Sequence, residues 1–128
     1  GSEIARGLDV FKLVPSKFLT QNEIDAANLV QVKELNVQNQ QKLAWPSHLT
    51  VARAYLDQLG RSQALPAKRI ADLNKAVERA QKSNLGKKEL EKLQAMAPSV
   101  KADAAAAKDP ADAKRLNALA GIFESPTV

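Results

Sequence analysis

The sequence predicts an all-α fold, an up-and-down helical bundle of about five helices preceded by a short extended arm. Three observations carry that prediction. Apolar residues recur at helical spacing in five segments, four of which open on a recognisable start signal. Only one stretch, residues 3–15, has strand character. Hydrophobic residues make up 45% of the chain but aromatics only 4%, so Leu, Val, Ile and Ala must build the core. The 128 residues fit one domain, or one domain plus an arm, divided here into residues 1–15 (arm) and 16–128 (bundle). A chain of this size buries roughly two-thirds of its unfolded surface, so it needs no staples.

In the arm, Leu8, Val10 and Lys12 alternate with Asp9, Phe11 and Leu13, and the run stops at Pro15. Gly7 permits a bulge or turn at its start. A single strand leaves its backbone N–H and C=O groups unsatisfied. The segment is therefore an extended arm over the helices, or a strand whose partners lie in sequence outside this chain or in another molecule. The second reading is preferred.

The first helix starts at Thr20, which with Glu23 forms a capping box, while Leu19 and Ile24 are spaced as a hydrophobic staple. Ile24, Ala27 and Val30 carry its stripe to about Val32. Residues 33–44 are rich in Gln and Asn and read as a loop. Trp45-Pro46 breaks the chain, because a residue before proline avoids the helical region. Ser47 is the expected N-cap of the second helix, whose face is Leu49, Ala52, Leu56 and Leu59, with Tyr55 beside it; it ends near residues 60–62. Pro66 then opens a third helix with Ile70, Leu73, Val77 and Ala80 on one face, ending near Ser83. Asn84 and Gly86 read as turn residues.

The fourth helix carries a heptad-like seam of Leu90, Leu93, Ala97, Val100, Ala104 and Ala107, whose small alanines let a neighbouring helix approach closely. Pro98 falls inside it and is expected to kink or split it. Asp109-Pro110 is an N-cap followed by a first-turn proline, and Leu116, Leu119, Ile122 and Phe123 form the last apolar face. Residues 125–128 are expected to fray. Short connections favour antiparallel neighbours, hence the bundle.

Chemistry is narrowed by what is missing. With no cysteine, disulfides, thiolate nucleophiles, zinc–thiolate sites and iron–sulfur clusters are excluded; a single histidine, His48, removes most His-based metal sites. No metal or other cofactor is expected. No apolar stretch reaches the ~20 residues of a membrane span. No signal peptide is visible, and Gly1-Ser2 reads as a cloning remnant, so an export signal is not legible here. Net charge is +5, with seven basic against six acidic residues up to Ala64 and twelve against eight after it. That excess raises an acidic partner as a candidate without naming one.

Each candidate site has a plain structural reading beside it. Ser47-His48 suggests a nucleophile and base, hence a small hydrolase, but adjacent residues at a helix start point apart and capping explains the serine. Asp72, Glu78, Glu89, Glu91 and Asp103 fall on solvated faces, with Glu78–Lys82 and Glu89–Lys92 spaced as helix pairs. Lys68, Lys75, Arg79 and Lys82 share one broad face and are candidate partner-binding residues. A basic helical nucleic-acid-binding domain is the alternative function they support. Interleaved acids and the lack of aromatics argue against a nucleic-acid partner. Trp45 and Tyr55 are the amphipathic aromatics: a core plug on the plain reading, a peptide- or sugar-binding shelf on the functional one. An Ala-rich seam or an unpaired strand edge also offers a route to a homo-oligomer.

Glu3-Ile4-Ala5-Arg6-Gly7-Leu8-Asp9-Val10-Phe11-Lys12-Leu13 resembles the closing strand of LVIVD-repeat proteins, exported bacterial proteins whose repeats are thought to form a β-propeller. Pro15-Ser16-Lys17-Phe18-Leu19-Thr20-Gln21-Asn22-Glu23-Ile24 is similar to the start of their helical extension. Trp45-Pro46 and Val51-Ala52-Arg53-Ala54-Tyr55-Leu56-Asp57-Gln58-Leu59 also look like that extension. The resemblance implies that residues 1–15 end a truncated repeat domain. It further implies an extracytoplasmic location and a non-catalytic scaffold or interaction role, with the upstream repeat domain or another chain as protein partner. It supplies no catalytic residues.

Overall fold

The four longer helices follow the apolar stripes closely, and the first does not. In the computed structural model, which describes residues 2–3, 7–8, 10–30, 38 and 42–128, the helices are α1 (Gln21–Asn28), α2 (Leu49–Arg61), α3 (Ala67–Lys82), α4 (Lys87–Ala106) and α5 (Pro110–Glu124). Among the described elements α2 packs on α3, α3 on α4, α4 on α5 and α5 back on α2, closing a four-helix ring. Helix α1 lies outside that ring and touches α2 alone. The core is aliphatic, as the composition requires: Leu49, Leu56 and Leu59, Leu73 and Val77, Leu93 and Val100, and Leu116 and Leu119 are all fully buried, closed at one point by Phe123.

The α4 seam is used inside the molecule. Leu93, Ala97, Val100 and Ala104 are buried, and α4–α5 is the most extensive helix pair. Small side chains at these positions bring the two backbones together, as in any alanine-lined helix contact. Pro98 does not split α4, which runs unbroken from Lys87 to Ala106. The ring faces solvent, where it clashes with no neighbouring helix, but the i−4 carbonyl of Gln94 still loses its helical donor. Pro98→Ala is expected to stabilise the protein by about 1–2 kcal/mol, the helix gain being partly offset by the freer unfolded chain. A thermal melt checks this.

Helix starts were largely legible. Thr20 caps α1 with both halves of the capping box formed: Glu23 N–H donates to Thr20 Oγ1 at 3.3 Å and Thr20 N–H to Glu23 Oε2 at 2.7 Å. Asp109 Oδ1 accepts from Ala111 N–H at 2.7 Å, with Pro110 in the first turn. The cap of α2 is a correction: His48, not Ser47, is its N-cap, and His48 Nδ1 accepts from Thr50 N–H at 3.1 Å. Ser47 is held by the C-terminal tail instead. Thr127 N–H donates to the Ser47 carbonyl at 2.7 Å, and Leu49 N–H to the Thr127 carbonyl at 2.9 Å. The tail expected to fray thus satisfies a first-turn amide of α2.

Three further boundaries differ from the sequence expectation. Helix α1 stops at Asn28 rather than near Val32, because Leu29 and Val30 N–H groups donate to Ala26 and Ala27 carbonyls and tighten the last turn. Pro66 is the N-cap of α3 rather than its first residue. In the α3–α4 turn the left-handed φ values fall on Asn84 (48°) and Leu85 (56°), not on Gly86. Leu85 tolerates this because its N–H donates to the Ala80 carbonyl at 2.8 Å and its side chain packs against the core. Most of the Gln/Asn-rich loop lies outside the described residues.

Gly121 sits within α5, and a Cβ there would meet nothing within 4 Å. Gly121→Ala is therefore expected to raise stability by about 0.5–1 kcal/mol, read as a shift of the urea midpoint with an unchanged slope.

At the other end of the chain the strand signal is only partly realised. Ser2–Glu3 (β1) pairs antiparallel with Gly7–Leu8 (β2), Ser2 opposite Leu8 and Glu3 opposite Gly7. Residues 10–15 belong to no ladder among the described residues. Ser16 and Leu19 then exchange backbone hydrogen bonds at 2.8 and 3.3 Å, a tight turn that delivers the chain to Thr20.

Candidate interaction surfaces

Residues 10–18, the end of the arm and the turn that follows it, expose the side chains that a folding chain hides first. Val10 is 86%, Phe11 81%, Leu13 61%, Val14 64% and Phe18 72% exposed. The backbone from residue 10 to 15 makes no backbone hydrogen bond to the described residues. Phe18 stands at the tip of the Ser16–Leu19 turn with the Lys17 ammonium 4.8 Å from its ring centre. The chain has five aromatic residues, and Phe11, Phe18 and Trp45 among them are exposed while only Phe123 is fully buried. Contiguous apolar exposure of this kind marks contact surfaces in stable proteins.

The α1–α2 seam is polar where an apolar stripe was expected. Its buried residues are Glu23 and Ala26, one position before Ile24 and Ala27. The Glu23 carboxylate accepts from Arg61 Nη2 at 2.6 Å, Arg61 Nη1 at 3.2 Å and Gln58 Nε2 at 3.0 Å. Burial alone raises its pKa, but the Arg61 guanidinium, the Thr20 N–H and the Gln58 amide outweigh that and hold it at about 2. Asp57 accepts from Thr20 Oγ1 at 2.6 Å and Asn22 Nδ2 at 2.8 Å, which ties the start of α1 to the middle of α2. The network continues inward: Arg115 Nε donates to Gln58 Oε1, Arg115 Nη1 to buried Asp112, and Ser62 Oγ also to Asp112. Helices α1, α2 and α5 are thus joined by one chain of charge-assisted bonds.

Trp45 and Tyr55 line one cleft beside this network. With Glu23, Ala26, Val51, Ala54 and Gln58 they line a cavity of about 110 Å³. Trp45 is 49% exposed, so it forms the rim of the cleft and is not the core plug of the plain reading. Burial pushes the Tyr55 phenol up, opposed by the nearby Arg115 charge. The cleft has room for about one side chain of a partner, by comparison with the ~30 Å³ that a water occupies.

The four basic candidates separate. Lys75 and Arg79 line a groove between α3 and α4 together with Lys92 of the opposite helix. Lys68 and Lys82 do not line it. Lys82 is drawn to Glu78 at 2.6 Å and Lys92 to Glu89 at 2.8 Å, the two helix pairs the spacing predicts. The Lys92 hydrogen bond, with the Arg79 and Lys88 charges behind it, holds the Glu89 carboxyl below its ordinary range. Arg69, also in the basic stretch, cross-links the helices through Asp103 at 2.9 Å and Ser99 at 2.7 Å.

Sequence reasoning missed Glu23, Gln58, Arg61, Asp112 and Arg115. Glu23 was legible as a capping-box residue, but capping residues are ordinarily solvated, so its burial carried no signal. Among the described residues no group of three or more His, Cys, Asp or Glu side chains is placed to hold a metal ion. Nor is any described helix long and apolar enough to cross a membrane. No protein-family model, curated protein or solved structure matches this chain.

Proposed function

We propose that the chain is a non-catalytic helical interaction module, the C-terminal extension of an exported repeat protein, attached to a protein partner through residues 10–18. The observation that carries this reading is the exposed apolar segment 10–18, whose residues 10–15 make no backbone hydrogen bond to the described residues, in front of a bundle whose own core is closed. An extended segment with apolar side chains on both faces suits a strand position covered on both sides, and such a strand gains its backbone partners from a sheet edge. The likeness of residues 3–13 to a repeat-closing strand supports the upstream repeat domain as the partner and an extracytoplasmic location for the module. The polar α1–α2–α5 network then fixes α1, and with it the turn that aims the arm.

The genomic reading frame upstream of Glu3 tests this. The proposal expects strand-forming repeats preceded by an export signal. A frame that opens immediately before Glu3, or that encodes only further helices, contradicts it.

A further inference from the structure

We propose that the groove between α3 and α4 is a docking surface for an acidic amphipathic helix of a partner polypeptide. The groove is open to solvent, has a volume of about 510 Å³ and an apolar floor, where Ala76 and Met96 are half-buried against the core. Small Ala lets a partner backbone approach closely, and the flexible Met thioether adapts to what it meets. The walls are charged. Lys75 and Arg79 stand one helical turn apart on α3, about 6 Å along its axis; neither has a carboxylate within ion-pair distance among the described residues, and the Arg79 charge acts on Glu78 and Glu89 only through space. Lys92 faces them from α4.

The charge pattern selects the occupant. Two cations one turn apart match carboxylates at i and i+4 on a helix laid along the groove, with that helix's apolar stripe against the floor. A nucleic acid fits less well: Glu89 already takes up Lys92, which leaves Lys75 and Arg79 where a run of phosphates needs a longer row of cations, and no aromatic lines the groove to stack a base. This surface is independent of the arm, so either proposal can fail without the other.

The test is a fluorescence-anisotropy titration of the full chain with a labelled synthetic helix of about 18 residues carrying a Leu stripe flanked by Glu pairs at i, i+4. It is run at ~50 mM salt, where charge contacts are weakly screened. Saturable binding is expected. The double variant Lys75→Glu/Arg79→Glu should weaken it at least about tenfold, whereas Lys68→Glu, on the same helix but outside the groove, should change it less than about twofold. A peptide of the same composition with its Leu stripe scrambled should bind about tenfold more weakly, since the floor then goes uncovered. All these side chains are exposed, and circular dichroism confirms that the variants fold. The proposal is overturned by absent saturation, by equal binding of the scrambled peptide, or by equal weakening in Lys68→Glu. Tighter binding of a single-stranded oligonucleotide than of the peptide also overturns it, in favour of a nucleic-acid surface.

Discussion

Phe123→Ala is expected to lower the unfolding free energy by about 3–5 kcal/mol, the range for truncating a buried aromatic side chain. Phe123 is fully buried, the largest such side chain in the molecule, and it sits in α5 among Leu119, Ala120 and Ile122, which are buried with it. Leucine and alanine neighbours are already close-packed and relax little, so most of the vacated volume stays open. Domains of this kind have about 5–15 kcal/mol in total, and the variant should unfold at a much lower urea concentration. Phe18→Ala is the matched comparison. At 72% exposed, Phe18 should change stability by less than about 0.5 kcal/mol. A large effect at position 18 would mean that the arm is part of the bundle's own fold.

Glu23→Ala carries the second-largest effect, a loss of about 2 kcal/mol. It removes the acceptor of Arg61, Gln58 and the Thr20 N–H together. Full loss of a buried pair costs more, but the Arg61 side chain is 37% exposed and regains water, which discounts the figure. The same group gives a pH signature. Its carboxyl is held at about 2 in the folded protein against an ordinary 4.5. A lowered folded pKa stabilises fully above the unfolded value and is lost as pH falls from about 4.5 toward 2. Urea midpoints measured between pH 6 and pH 2 should therefore show a steeper acid decline in the natural chain than in Glu23→Ala. Parallel profiles would show that the ion pair is not what fixes α1.

What the sequence makes legible is what local chemistry decides. The stripes Leu73–Val77–Ala80 and Leu116–Leu119–Phe123, the Thr20 capping box, Asp109-Pro110 and the Glu78–Lys82 pair each depend on residues within a turn or two. All are found in the structure. The misreadings come from long-range partners. Ser47 loses its cap role to His48 because Thr127, eighty residues on, holds the Ser47 carbonyl. Helix α1 buries Glu23 rather than Ile24 because Arg61 waits on α2, a pairing that no spacing rule exposes. Leu85 takes a left-handed φ because core contact offsets a local preference that favoured Gly86. Of the candidate surface, Lys75 and Arg79 were legible as a shared face. Their groove was not, since its far wall belongs to another helix.

On the proposed reading residues 10–14 form a strand in a partner sheet. Hydrogen exchange on these five amides tests it most directly, comparing the present chain with the polypeptide that also carries the residues encoded upstream of Glu3. In the present chain these backbone groups pair with none of the described residues, so they should exchange at nearly the unfolded rate. In the longer polypeptide ladder bonds should slow them by at least about a hundredfold, as for amides opened only by local unfolding. Exchange equally fast in both would contradict the account and leave the arm a tether rather than a strand.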